Sequence, residues 1–236
     1  MGVTMKRSVI TTVTALLVIS FIPANSFASD SGSEKKSKAK QTTTAAPVAP
    51  ALKCRPTRAI GHTALRVGIP VVRIPAPSRT LTFTTNCGDI VVQTDGVAAP
   101  MTTTAMTYLA KQGYFNHTLC HRLTTAGIFV LQCGDPTATG SGGPNWQPYR
   151  DENLPTSAAN DYPEGIVAMA NSGPNTNGSQ FFFVYADTTL PPAYTRWGTI
   201  IKGLDIVKAI AAQGVANGTQ DGPPKQTVAI ESVSIR

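Results

Sequence analysis

The sequence predicts a mostly β domain, a barrel or a sandwich, over residues 79–236, behind two N-terminal segments that do not belong to it. Short runs rich in β-branched and aromatic residues, bounded by Gly, Pro, Asn or Asp, recur along that span. Only two segments have helical spacing, so the helix between most strands that a parallel α/β fold requires is missing. The span is also long enough to close one hydrophobic core.

Residues 1–28 read as a secretory signal segment. Lys6 and Arg7 form a charged start, Ile10 to Ile22 an apolar run, and Ser26-Phe-Ala28 a cleavage site of small residues. The run stops at Pro23, short of the roughly 20 apolar residues that span a bilayer. Cleavage is therefore expected, with no stable membrane insertion afterwards and an exported product. Residues 29–51 are Ser, Lys, Thr, Ala and Pro without apolar periodicity, a disordered tether. Residues 52–78 read as an irregular extension.

Arg79 to Thr85 alternates, with Leu81 and Phe83 on one side. Asn86-Cys-Gly88 turns, and Asp89 to Gln93 returns. Pro100 to Gln112 reads as a helix, with Pro in its first turn and Gly113 after its end. Its Thr-rich start is a weak helix former, so packing must hold it. Strands follow at 119–124 and 128–133, then a Gly-rich loop over 134–149. Ile166 to Met169 and Gln180 to Tyr185 are strands around a polar loop. Trp197 to Ile201 is another, Leu204 to Gln213 a second helix, and Thr227 to Ile235 the last strand.

The four cysteines form no C-x-x-C pair, which argues against a zinc knuckle or a thioredoxin-like motif. Export permits disulfides. Cys120 and Cys133 flank a bend at Ala126-Gly127, and pairing of their strands would bring them together. This favours Cys120–Cys133 and leaves Cys54–Cys87, although four cysteines allow three connectivities and sequence alone does not choose. The formal charge of +7 falls to +5 without Lys6 and Arg7. It falls to +3 without Lys35, Lys36, Lys38, Lys40, Asp30 and Glu34. With no basic stripe and no stacked-aromatic array, nucleic acid is not an expected partner.

The stretch Met169-Ala-Asn-Ser-Gly-Pro-Asn-Thr-Asn-Gly-Ser-Gln-Phe-Phe182 resembles the signature of cyclophilin-type peptidyl-prolyl cis-trans isomerases, of an exported bacterial kind. The resemblance covers about 79–236. It implies a closed eight-stranded antiparallel β-barrel capped by two helices. It also implies catalytic roles for Arg122, in Cys-His-Arg-Leu123, and for Gln132 and Asn171. Phe129, Val130, Ala170, Gln180, Phe182, Leu190 and Tyr194 match positions that bind substrate. The bend before Gln132 is two residues longer than in common members, so Phe129 is placed by counting back from Gln132. The Trp of cyclosporin-sensitive members is missing beside Leu190, which implies weak binding of that drug. Proline-containing polypeptides would be the partners of a monomer, with no metal or other cofactor.

Two rivals stand beside this reading. One is a proline-peptide-binding module or chaperone with little catalysis, against which the intact Arg122 argues. The other is a hydrolase built on Ser179 and His121. His121 is expected on the strand face opposite Arg122, and no carboxylate is evidently placed to orient it.

Overall fold

The computed structural model describes residues 52–157 and 161–236, all within one compact unit, Ala49–Arg236. The expected signal segment and tether lie outside the described residues. Among those described, no helix is long and apolar enough to cross a membrane.

In chain order the elements are β1 (Thr80–Thr85), β2 (Gly88–Thr94), α1 (Pro100–Lys111), β3 (Thr118–Leu119), β4 (Arg122–Thr124), β5 (Val130–Cys133) and β6 (Ile166–Met169). Then come β7 (Phe181–Val184), β8 (Arg196–Lys202), α2 (Leu204–Ala211), β9 (Asp221–Gly222) and β10 (Ala229–Ile235). All ten strands join one curled antiparallel sheet in the order β3-β10-β1-β2-β8-β6-β7-β5-β4-β9.

This corrects the expected closed barrel of eight strands. Two strands are added. The strand expected over 119–124 breaks at Cys120-His121: Leu119 pairs with Ala229 of β10, while Arg122 pairs with Gln132 of β5. The second addition, β9, is a two-residue strand on β4, inside a stretch too rich in Gly and Pro to read as β. Among the described residues no ladder joins β3 to β9, so the sheet is hydrogen-bonded as a half-barrel. A covalent link also spans the gap between its two ends. The chain itself crosses from one end strand to the next-to-last at Cys120-His121, and a disulfide ties Cys120 to Cys133 there.

The core explains why β7 is continuous Phe181-Phe-Phe-Val184. Successive side chains of a strand point to opposite faces. Phe181 and Phe183 enter the main core, where they meet Phe83 at centroid distances of 5.2 and 5.7 Å. Phe181 also meets Phe115 and Trp197 edge-on, the geometry aromatic quadrupoles favour. Phe182 and Val184 face the other way, into a smaller cluster with Val130, Tyr162 and Ala168. The strand is buried on both faces.

The Thr-rich start of α1 is held by a distant carboxylate. Glu152 accepts from the Met101 and Thr102 amides, two donors that no intrahelical bond can satisfy. Helix α2 follows Gly203, whose φ is +87°. A Cβ at that residue would collide with the Asp89 carbonyl, so only glycine lets α2 sit this close to β2.

Residues 52–79 contain no helix or strand. They lie on the domain through Arg55 N–H to Asn86 O, His62 N–H to Pro136 O and Ala76 N–H to Gly96 O, and through the Cys54–Cys87 disulfide. Both cysteine pairs are those the sequence favours.

Asn86 secures this attachment. It is 3% exposed. Its Nδ2 donates to Arg55 O and Thr227 O, and its Oδ1 accepts from Ala229 N–H. Asn86→Ala would take this partner from three backbone groups, of which the Ala229 N–H is buried, and a buried unpaired group costs ~1–3 kcal/mol. Urea unfolding should show a loss of about 3 kcal/mol. A loss below about 1 kcal/mol would mean that the extension is secured elsewhere.

Candidate active site

The functional side chains come from four strands and three loops. Arg122 and Gln132 are direct partners in the β4–β5 ladder, so their side chains rise on the same face. Arg122 Nη1 donates to Gln132 Oε1 at 3.2 Å. Gln132 Nε2 donates to Gln180 Oε1 at 2.9 Å. Gln180 Nε2 donates to the carbonyls of Gly140 and Gly142, at 3.0 and 2.9 Å. A guanidinium has only donors, so Gln132 must turn its oxygen toward Arg122. Its NH₂ is thereby aimed at Gln180, and the direction passes along the row.

The row ends on the loop 135–142, which is organised by one buried carboxylate. Asp135 is 0% exposed and accepts from the backbone N–H groups of Thr137, Thr139, Gly140 and Gly142. Burial raises its pKa, but the Thr137 hydroxyl and these backbone donors outweigh that and hold it below the ordinary 3.8. A Cβ at Gly142 would collide with the Asp135 carboxylate, which explains a glycine there.

Beside this row lies a cavity of about 160 Å³. It is lined by Arg122, Ile128, Val130, Gln132, Ala170, Asn171, Phe182, Leu190 and Tyr194. A second hollow of about 220 Å³ shares Gln132, Ala170 and Asn171 with it and includes Gln180. The two form one groove. A larger hollow, about 320 Å³, lies between the extension and α1 and has no such row of amides. The wall at Leu190–Tyr194 is pinned by Tyr162, whose hydroxyl donates to Tyr194 O and accepts from Tyr194 N–H. Burial pushes the Tyr162 hydroxyl up to about 12.

Of the residues that the sequence singled out, Arg122, Gln132, Asn171, Val130, Ala170, Phe182, Leu190 and Tyr194 meet at the cavity, and Gln180 joins through Gln132. Phe129 does not. Val130 and Gln132 face the groove, so alternation turns Phe129 the other way, where its ring meets Tyr185 edge-on at 5.9 Å. The longer bend folds back through Ile128 N–H to Ala126 O, and Ile128 takes the apolar place at the cavity. Asn171 spends its side chain within the protein: Nδ2 donates to Ala193 O and Oδ1 accepts from Gly173 N–H. The hydrolase reading loses its geometry. Ser179 Oγ donates to Gly134 O, and neither His121 ring nitrogen has a hydrogen-bond partner among the described residues.

Sequence reasoning missed Asp221. Its carboxylate takes the other edge of Arg122, with Nε to Oδ1 and Nη2 to Oδ2 both at 2.7 Å. This bond holds the Asp221 carboxyl below its usual range and raises Arg122.

The site combines a row of side-chain amides, a fixed guanidinium and a small cavity with an apolar wall of Ile128, Val130, Phe182 and Leu190, on a curled antiparallel sheet. The family model described as cyclophilin type peptidyl-prolyl cis-trans isomerase/CLD matches residues 80–235, and the chain belongs to that family. It is 44% identical over 175 residues to a probable peptidyl-prolyl cis-trans isomerase B of Mycobacterium leprae, covering 69% of this chain and 59% of the relative. It is 46% identical over 163 residues to its namesake in Mycobacterium tuberculosis, covering 65% and 53%. The chain thus spans between 53% and 59% of these relatives' length. A solved Cryptosporidium parvum cyclophilin type isomerase, described in the presence of the dipeptide Ala-Pro, is 28% identical with a TM-score of 0.58. That match covers 66% of this chain and 98% of the other.

Asp135→Ala should release the loop. Amide exchange at Thr139, Gly140 and Gly142 should accelerate, with Phe181 unchanged. Because the folded-state pKa of Asp135 is depressed, its hold is complete above the ordinary 3.8 and is lost as pH falls through the lower value. Amide shifts of Gly140 and Gly142 should therefore titrate with a midpoint below 3.8. A midpoint at or above it would contradict the assigned role.

Proposed function

We propose that this chain is a peptidyl-prolyl cis-trans isomerase acting on X–Pro bonds of exported polypeptides, working as a monomer. The observation that carries the reading is Arg122 opposite Gln132 at the mouth of a cavity walled by Val130, Phe182 and Leu190.

The chemistry follows from the peptide bond. Its rotation is resisted by ~18–20 kcal/mol because the nitrogen lone pair is delocalised, and X–Pro bonds turn over only in tens to hundreds of seconds unaided. As the bond twists, the prolyl nitrogen becomes pyramidal and its lone pair localises. A guanidinium aimed at that nitrogen binds the twisted state better than the planar one, which is transition-state stabilisation. Arg suits this because it stays charged and holds its donors in a plane. The proline ring sits against the apolar wall of the cavity, formed by Val130, Phe182 and Leu190. Gln132 and the backbone at Ala170 and Asn171 hold one flank of the peptide while the other turns. The step needs no nucleophile.

We also propose export, on the strength of the charged, apolar and small-residue succession in residues 1–28. Two disulfides with no free cysteine among the described residues agree with an oxidising compartment.

Arg122→Ala should lower the isomerisation rate on the order of 10²–10³-fold, with fold and peptide affinity retained. A delocalised prolyl nitrogen is a poor acceptor, so little ground-state binding is lost. Arg122→Lys should recover only part, since an ammonium lacks the planar fork. Exchange spectroscopy on a short Ala-Pro peptide, with circular dichroism as control, reads both. Near-normal exchange in folded Arg122→Ala would sink the mechanism.

A further inference from the structure

We infer that Asp221 is a positioning residue for Arg122: it clamps the outer edge of the guanidinium so that the plane is already aimed at the cavity before a peptide arrives. The inference rests on the isomerase reading and deepens it.

The pair is a two-point fork, Nε to Oδ1 and Nη2 to Oδ2, each at 2.7 Å. With Nη1 on Gln132, three of the five guanidinium N–H groups are assigned. One N–H on Nη1 and one on Nη2 have no protein acceptor among the described residues. Two anchors on opposite edges of a planar group stop it from both swinging and spinning. A single bond to Gln132 would leave rotation about that contact free. Stability alone is a weak account of the pair. The two side chains are 38% and 55% exposed, and exposed ion pairs contribute little to folding. What a bidentate Arg–carboxylate pair supplies in the open is geometry.

The segment that carries Asp221 is itself built to hold still. Strand β9 sits on β4, with Thr124 opposite Asp221 and Leu123 opposite Gly222, so the carboxylate comes from the strand next to Arg122. Thr219 Oγ1 donates to Asp221 O, and Thr125 N–H bonds Gln220 O. Across the base, Ala216 N–H meets Pro223 O and Lys225 N–H meets Gly214 O. This brace spans 214–225 and leaves the Asp221 side chain over Arg122.

A carboxylate beside a catalytic cation also subtracts from its field, so the two effects oppose each other. Aim prevails, because the lone pair appears only along one direction and only in the twisted state. A misdirected donor then forfeits most of its effect, and small misplacements of reacting groups are costly.

The test compares full-length wild type, Asp221→Ala, Asp221→Asn, Asp221→Glu and Arg122→Ala by exchange spectroscopy over a range of Ala-Pro peptide concentrations. Asp221→Ala and Asp221→Asn should lower kcat roughly tenfold with KM and peptide affinity unchanged, and Asp221→Glu should recover part of the loss. Nitrogen-15 spectra should show a slowly rotating Arg122 guanidinium in wild type and a rapidly rotating one in Asp221→Ala. A kcat within twofold of wild type in either variant, a loss confined to KM, or a guanidinium still held in Asp221→Ala would overturn the inference. Failure of Asp221→Ala to fold would make Asp221→Asn the deciding variant. Absence of activity in wild type would instead overturn the isomerase reading.

Discussion

One strand with no solvent face governs this molecule. β7 sends Phe181 and Phe183 into the aromatic centre with Phe83, Phe115 and Trp197, and sends Phe182 and Val184 beneath the groove. A strand locked on both sides cannot shift register, because a one-residue slip would exchange every side chain between faces. Its neighbours inherit that certainty. β5 pairs with it from Val130 to Cys133, and β6 from Val167 to Met169. Those two strands carry Val130, Gln132 and the approach to Ala170 and Asn171. The groove is therefore placed by the same packing that holds the domain together, and precision at the site needs no separate device on that side.

The polar side of the groove is placed differently, by direction of hydrogen bonding. Arg122 can only donate, so the two glutamines next to it are oriented in sequence, and the loop at Gly140 and Gly142 is drawn in as the last acceptor. Asp135 grips the same loop from the buried side. One row thus begins and ends on a carboxylate, Asp221 at one end and Asp135 at the other. Each is held ionised by its donors, one by a guanidinium and the other chiefly by a hydroxyl and backbone amides.

Period-two patterns made most strands readable, and β6 runs over Ile166–Met169 as read. The asparagine- and glycine-rich stretch before Gln180 made most of the site readable through its likeness to a family. The misses share a cause, which is dependence on partners distant in the chain. β9 has two residues and no apolar pattern, so Asp221 carried no signal before the ladder with β4 was known. Glu152 caps α1 from about fifty positions away. Phe129 failed for a local reason. Counting along a strand assumes that the bend before it keeps a fixed path, and here the bend folds back so that Ile128 reaches the cavity.

The two ends of the sheet are two-residue strands, β3 and β9. A run that short offers almost no row of free backbone groups for another chain to pair with, which is how natural sheets discourage fusion at their margins. For the isomerase proposed above, this would matter twice. A bound polypeptide would find no margin on which to add an eleventh strand and remain. On the proposed reading, contact would fall on the Gln132 side chain, the backbone at Ala170 and Asn171 and one cavity, which would grip a peptide locally and release it without dismantling a ladder. Blunt margins would keep that proposed encounter brief.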